Sequence, residues 1–223
     1  MEDLKSIQTE DKDERSVLDF LNIDKSSWTE NDKSEDHKLT YAYVQMNNPL
    51  TKSPEEKLCF CLDATLKKPI DKVAKCLNEI DQRKTFDTLY NEGKVISETK
   101  GNPDVYNLYF LLKMGFVFSN RDFVVQKKIW KDYQGKKDHY LIHVISIDHP
   151  DYPEKSDPVR AVFLNRAAYL RPGKDGETLL TLLTLCNCVD MKVINVGSFM
   201  AISKGTSGMK NWLSKLKETL DKA

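Results

Sequence analysis

Four of the five cysteines form two pairs with one residue between the members, Cys59 with Cys61 and Cys186 with Cys188. Cysteine thiolates, together with a histidine such as His143, could bind zinc. However, structural zinc sites usually place their cysteines two to four residues apart on a turn, and a single intervening residue on a strand is a poor match. The sequence therefore favours buried, reduced thiols over a disulfide or a metal site. It predicts no metal and no cofactor.

His143, at the centre of a predicted strand, is the one histidine that we consider as a general base. A hydrolase would need a nucleophile and an orienting acid beside that base. No Ser-His-Asp or Cys-His arrangement can be placed around His143 by spacing. We interpret it as a hydrogen-bonded histidine of a sheet and predict no catalytic residues.

Lys127 interrupts an otherwise apolar strand face. The predicted strand 122–133 places Phe123, Val125 and Ile129 on one face, with Lys127 among them. Such a lysine either extends along the surface to reach water or lies in an apolar cavity and orients a ligand. If the ammonium is buried without a partner, its charge is costly, and a phosphate would relieve that cost.

Two further strands also present bulky apolar faces. The even positions of the strand 104–114 are Tyr106, Leu108, Phe110, Leu112 and Met114. In the strand 158–170, strict alternation places Ala161, Phe163, Asn165, Ala167 and Tyr169 on one face, and Arg160 and Arg166 on the other. Periodicity cannot distinguish a sheet filled by the last helix from a curved sheet around a cavity, so both interpretations stay open at this point.

The elements that carry these residues indicate an α+β fold. Helices are predicted over 14–22, 69–80, 84–90 and 197–221, and the first is followed by a polar connection in which Trp28 docks on the core. Strands are predicted over 39–45, 58–66, 94–98, 104–114, 122–133, 138–148, 158–170 and 177–189. Short connections between successive strands favour an antiparallel meander. We expect a polar tail over 1–13 and one domain over 14–223.

Charge argues against a nucleic-acid partner. The chain has 34 basic and 34 acidic side chains, so no overall positive field attracts a polyanion. Residues 1–38 carry twelve acids and six bases, a net charge of −6. The first residues lack the basic-then-apolar layout of a signal peptide, and no stretch approaches the roughly 18 apolar residues of a spanning helix. We expect a cytoplasmic monomer, peripheral to membranes.

The segment Ser119-Asn120-Arg121-Asp122-Phe123-Val124 resembles the arginine–aspartate–aromatic signature of the START (steroidogenic acute regulatory protein-related lipid transfer) domain family. Further similar segments follow the family's order: Arg83-Lys84-Thr85-Phe86-Asp87, Asp148-His149-Pro150, Val159-Arg160-Ala161 and Asp190. The resemblance covers about 28–222 of this chain. The sequence departs from the family pattern at Phe86, where tryptophan is usual, and at Val193 and Val196, where glycine and proline are usual.

The resemblance implies a helix-grip fold, in which a bent antiparallel sheet wraps around the long C-terminal helix and encloses a hydrophobic tunnel. It implies non-enzymatic binding of a single lipid and its transfer between membranes, with transient contact with membrane surfaces. A glycerophospholipid is slightly favoured over a sterol, because a lysine in the tunnel can bind the phosphate of a phospholipid, whereas a sterol offers it only a hydroxyl group. The alternatives are a lipid-sensing regulatory module, with the acidic start as a partner segment, and a helix-grip hydrolase using the same cavity.

We assign the tunnel and its gate from these faces and the resemblance. The expected ligand-binding residues are Tyr106, Leu108, Phe110, Leu112, Phe123, Val125, Lys127, Ile129, Ala161 and Phe163. The expected gate consists of the 115–120 loop with Phe116 and Phe118, and of the last helix with Phe199, Met200, Met209 and Leu213. Arg121, Asp122 and Arg160 are expected to be structural. Gly205 and Gly208 weaken the last helix near its middle and suggest a hinge there.

Overall fold

A computed structural model describes residues 12–114, 119–187 and 198–222 of the chain. Within these ranges there are four α-helices and one sheet of ten strands. The helices are α1 (Lys12–Leu21), α2 (Ile70–Asn78), α3 (Arg83–Phe86) and α4 (Ser198–Lys222). The strands are β1 (Thr29–Lys33), β2 (His37–Asn47), β3 (Pro54–Leu66), β4 (Tyr90–Thr99), β5 (Asp104–Leu112), β6 (Arg121–Lys131), β7 (Tyr140–Ser146), β8 (Val159–Arg160), β9 (Val162–Pro172) and β10 (Thr178–Asn187).

The sheet is antiparallel and bent, with the strand order β1-β2-β3-β10-β9-β7-β6-β5-β4. The two-residue strand β8 lies off this path and pairs with β6 in parallel. Sequential hairpins build each half, and the contact of β3 with β10 joins the halves. The α+β helix-grip fold class predicted from the sequence is confirmed.

The strand β1 lies where the sequence predicts a polar connection. Its sequence, TENDK, has no apolar alternation, and its residues are mostly exposed. Such a sequence suits an edge strand, which is held by backbone hydrogen bonds to one neighbour and needs no buried face. Trp28, just before β1, packs against the cluster beneath α1 as predicted.

Both faces of the sheet are covered. On the inner face, Leu213, Leu216 and Leu220 of α4 pack into the main core, since their spacing puts them on one side of the helix. On the outer face, Val17 and Phe20 of α1 are fully or almost fully buried against the other side of the sheet. The inner face therefore carries the candidate site, and the outer face is closed by α1.

A β-bulge overturns one prediction about the faces of β9. The register between β9 and β10 pairs Leu185 with Asn165 but Cys186 with Phe163, so Leu164 is the extra residue. A bulge of this kind reverses the alternation of side chains beyond it. Phe163 therefore shares the inner face with Arg166, and not with Asn165 as strict alternation predicted.

The cysteines divide into two groups. Cys59, Cys61 and Cys76 are free and buried, and burial raises the pKa of Cys59 to about 12 and that of Cys76 to about 11. Cys186 is disulfide-bonded, so the prediction of a reduced thiol is wrong at this position. The spacing of cysteines in a sequence does not give the distance between two sulfur atoms, which decides whether a disulfide forms.

In the part of the chain that the structure describes, no group of three His, Cys, Asp or Glu side chains is arranged to hold a metal ion. Among the described helices, none is long and apolar enough to cross a membrane.

Candidate functional site

A cavity of about 100 Å³ lies between the inner face of the sheet, the α2–α3 segment and α4. Its lining is mostly apolar and comes from β5, β6, β7, β9 and β10, with Trp212 contributed by α4. Five of the ten predicted ligand-binding residues line it: Leu108, Phe110, Val125, Lys127 and Phe163.

The other five predicted ligand-binding residues lie on the same side of the sheet but away from the cavity. Leu112, Phe123 and Ala161 are buried in the aromatic cluster near one end of the cavity, and Ile129 is buried in the main core. The hydroxyl of Tyr106 accepts a hydrogen bond from Lys100 Nζ at 2.5 Å. Strand periodicity therefore identifies the inner face of the sheet, but it does not show where along the strands the cavity lies.

Lys127 is buried in this apolar surrounding, with 8% of its surface exposed. Its Nζ donates hydrogen bonds to the backbone oxygens of Leu77, at 2.8 Å, and Asn78, at 3.3 Å. Both carbonyls belong to the last turn of α2, where carbonyl groups lack partners within the helix and the helix dipole favours a cation. The burial of Lys127, together with the nearby charges of Arg83 and Arg166, lowers its pKa to about 7.

Arg166 is a second cation of the cavity, and the prediction that it lies on the face opposite Phe163 is wrong. Its guanidinium carbon lies 5.6 Å from the ring centre of Phe163 and 5.8 Å from that of Trp212. Burial, followed by the charge of Arg83, lowers its pKa to about 10, while Asp87 acts in the opposite direction. The bulge at Leu164 places this residue on the same face as Phe163, and single-sequence periodicity carries no signal for the bulge.

Arg83 is the third cation of the cavity. Its Nε donates to Asp87 Oδ2 at 2.9 Å, and its guanidinium carbon lies 4.0 Å from the ring centre of Phe110 and 5.3 Å from that of Tyr90. Arg83 belongs to one of the segments similar to the START pattern, but the sequence analysis gave it no place in the tunnel. Arg83 and Lys127 are distant in the sequence, so the sequence alone does not show that both line the same cavity.

The predicted gate is only partly within the described residues. Leu213 is buried and Met209 partly buried against the main core. Phe199 and Met200 lie in the first turn of α4, with side chains outside the described residues, and Phe116 and Phe118 lie outside them altogether. The α4 helix continues through the proposed hinge at Gly205 and Gly208.

The signature residues hold the backbone at the end of the cavity. Arg160 donates two hydrogen bonds to the Asp122 carboxylate, from Nε at 2.9 Å and from Nη2 at 3.1 Å. Arg121 instead donates to the backbone oxygen of Ser119 at 2.9 Å. The Asp122–Arg160 pair is buried, with 3% and 6% of the side chains exposed, and it joins β6 to the short strand β8.

His143 lies on the opposite face of the sheet from the cavity. Its neighbours in β7, Ile142 and Val144, line the cavity, so alternation directs His143 outward. Its Nε2 lies 3.1 Å from Asn165 Oδ1. The interpretation of a hydrogen-bonded sheet histidine agrees with this geometry.

Comparison with known proteins identifies relatives over almost the whole chain. The family model of the START domain matches residues 16–218. A search of curated proteins by sequence finds no match.

Several solved structures share the fold. The crystal structure of human STARD10 matches with a TM-score of 0.72 and 18% identity, covering 98% of this chain and 82% of that one. Human StAR-related lipid transfer protein 5 matches with a TM-score of 0.75 and 13% identity, covering 94% and 93%. The lipid transfer and protein localization domain of human StarD13 (DLC2) matches with a TM-score of 0.66 and 16% identity, covering 96% and 98%. At these identities the likeness concerns the fold.

Proposed function

Because the chain belongs to the START domain family, we propose that it binds a single lipid in the cavity under α4 and transfers it between membranes without covalent chemistry. The observation that carries this proposal is the apolar cavity between the sheet and α4, with Lys127 buried in its wall. A lipid chain that leaves a bilayer exposes its tail to water at a cost of about 0.8 kcal/mol per CH₂ group. An apolar interior removes most of that cost.

The size of the cavity argues that binding requires movement. Its volume of about 100 Å³ is well below the roughly 300–1,000 Å³ of ordinary small-molecule sites. A lipid therefore needs α4 and the side chains beneath it to move away from the sheet. We propose α4, with Phe199, Met200, Met209 and Leu213, and the 115–120 loop, with Phe116 and Phe118, as the gate for this movement.

We propose a glycerophospholipid as the ligand in preference to a sterol. The charge of Lys127 is costly in its buried position, and a phosphate offsets that cost through a charge-assisted hydrogen bond. The hydroxyl of a sterol is neutral and cannot offset it. The predicted ligand-binding residues that lie outside the cavity, such as Phe123 and Ala161, would contact the acyl chains once the cavity expands.

We propose that the protein works as a cytoplasmic monomer. We also propose that it contacts membrane surfaces only transiently, because a carrier that moves between two membranes must detach from both. We propose no catalytic residue, since none of the four histidines lines the cavity and the acids nearest to it are engaged with basic residues.

Native mass spectrometry of the purified protein tests the proposal, combined with identification of the lipid in an organic extract and a vesicle-to-vesicle transfer assay. We expect one lipid per chain, and we expect transfer rates that rise with protein concentration. A protein that stays empty and takes up neither phospholipid nor sterol from vesicles would contradict the carrier function. Stoichiometric binding without transfer would instead support the alternative of a lipid-sensing module.

A further inference from the structure

Three cationic side chains, Arg83, Lys127 and Arg166, line the same small cavity, and we call them the cation cluster. They lie close enough for the charges of both arginines to lower the pKa of Lys127. The charge of Arg83 likewise lowers the pKa of Arg166. Three like charges in an apolar wall repel each other, which costs electrostatic free energy.

The nearby carboxylates balance this charge only in part. Asp87 is engaged with Arg83. Glu79 also lines the cavity, but its side chain is exposed and lies 4.0 Å from Lys75. Among the ion pairs of the described residues, none involves Lys127 or Arg166. The cavity therefore has an excess of positive charge that neither carboxylate neutralises.

The aromatic rings of the cavity are already in contact with these cations. The guanidinium of Arg83 lies over Phe110, and that of Arg166 lies over Phe163 and Trp212. Phe123 stacks on both phenylalanines, with ring centres 4.8 Å and 4.7 Å apart. A choline group is normally held by free aromatic faces. Here it would meet rings occupied by guanidinium groups and a surrounding positive charge.

We propose that the lipid carried by this protein has a net negative head group, with its phosphate bound among Arg83, Lys127 and Arg166. This inference rests on the proposed carrier function and adds the class of ligand. Arginine guanidiniums bind phosphate in a bidentate manner, and a lysine contributes a compact point charge. A zwitterionic head group such as phosphocholine brings its own cation into this cluster. The repulsion between that cation and the cluster offsets much of the favourable interaction of the phosphate.

Competitive lipid uptake tests the inference with the full chain. The protein is incubated with phosphatidylcholine vesicles that contain equal minor amounts of phosphatidic acid, phosphatidylglycerol, phosphatidylinositol, phosphatidylethanolamine and cholesterol. The lipid that stays with the re-isolated protein is then quantified. We expect the anionic lipids to be enriched about tenfold or more over phosphatidylcholine, relative to their abundance in the vesicles, a preference equivalent to about 1.4 kcal/mol.

Matched variants assign that preference to the cluster. Arg166→Gln and Lys127→Met are expected to abolish most of the enrichment while still binding a lipid. Arg171→Gln is the control, because Arg171 lies on the same strand but over the ring of Tyr169, which packs on the outer face. This control should keep the wild-type preference. Thermal unfolding of each variant verifies that it folds.

The outcomes separate the inference from the function on which it rests. Preferential uptake of phosphatidylcholine or cholesterol, or an unchanged preference in a folded Arg166→Gln variant, would overturn the anionic head group and leave the carrier function standing. Absence of any bound lipid would overturn both. Inorganic phosphate and glycerol phosphate serve as probes without acyl chains. If they raise the melting temperature as much as the anionic lipids do, the cluster binds a free anion and the inference is wrong.

Discussion

The ring of Phe60 on β3 fills the space that a side chain at Gly205 of α4 would need. A Cβ atom built at Gly205 would lie 2.3 and 2.4 Å from two carbons of that ring, whereas one at Gly208 would meet nothing within 4 Å. Gly205 therefore permits the close packing of α4 on the sheet. Its presence near the middle of the helix has a steric reason that does not require a hinge.

Separate alanine substitutions distinguish packing from hinge motion. Gly205→Ala should push α4 away from Phe60, lower the free energy of unfolding by roughly 1–3 kcal/mol and accelerate lipid release. A second change, Phe60→Leu, makes room for the new methyl group and should recover part of the loss. Chemical denaturation and a vesicle transfer assay measure both effects. An unaltered stability of Gly205→Ala would show that the contact can relax without cost.

Gly208→Ala tests the hinge itself, because it adds a methyl group in open space. Alanine favours helix by about 1 kcal/mol over glycine in a helix interior, so the variant should be slightly more stable. If α4 bends there during release, transfer should slow several-fold in the same vesicle assay. Transfer at the wild-type rate in this variant would mean that the helix moves as a rigid element.

Lys127→Met should stabilise the empty protein. Replacing a buried charge by an apolar side chain of similar size commonly gains roughly 1–4 kcal/mol. The folded-state pKa of about 7 lies below the unfolded value of about 10.4. Below pH 7 the lysine is charged in both states, so the full cost of burying its ammonium group reduces the stability of the fold. This cost decreases as the pH rises from 7 towards 10, because the buried lysine is then neutral. The difference in melting temperature between Lys127→Met and wild type should therefore be larger at pH 6 than at pH 9.

Lys128→Met provides the control for that comparison, because Lys128 neighbours Lys127 in β6 and alternation directs it to the opposite face. Its pH dependence should follow that of the wild type. A Lys127→Met protein that is less stable than wild type at pH 6 would mean that the hydrogen bonds to the end of α2 outweigh the cost of the buried charge.

Binding of an anionic lipid should take up a proton in alkaline solution. A phosphate beside Lys127 favours the ammonium form and raises its pKa from about 7. Above pH 7 the free protein must therefore be protonated on binding, and affinity should fall by up to about tenfold per pH unit. Calorimetry in buffers of different ionisation enthalpy measures the proton count. Lys127→Met should show no uptake, and equal uptake by wild type and variant would assign the proton to another group.

Asp122→Asn should destabilise the fold strongly. It leaves Arg160 buried beside a neutral partner, and removing one member of a buried ion pair typically costs about 3–5 kcal/mol. A double-mutant cycle with Arg160→Met, followed by urea unfolding, measures the coupling. We expect the double variant to lose less than the sum of the two single changes. Additive losses would show that the two side chains act independently.

The order of nearly all the elements and the apolar inner faces of β5 and β6 could be predicted from the sequence alone. The sequence also placed Lys127 among apolar side chains. These features are local, because the spacing of apolar residues along a helix or an unbroken strand sets which face is buried. The resemblance of the segment around Arg121 added the family, which the match over residues 16–218 confirms.

The surroundings of Lys127, in contrast, depend on how distant parts of the chain pack together. The bulge at Leu164 reverses the alternation in β9 and puts Arg166 on the same face as Phe163, and chain folding brings Arg83 and the last carbonyls of α2 to the same cavity. Periodicity assigns a face only while the strand register is regular. It carries no information on tertiary contacts between segments that are distant in the sequence. The charge of the cavity depends on those contacts.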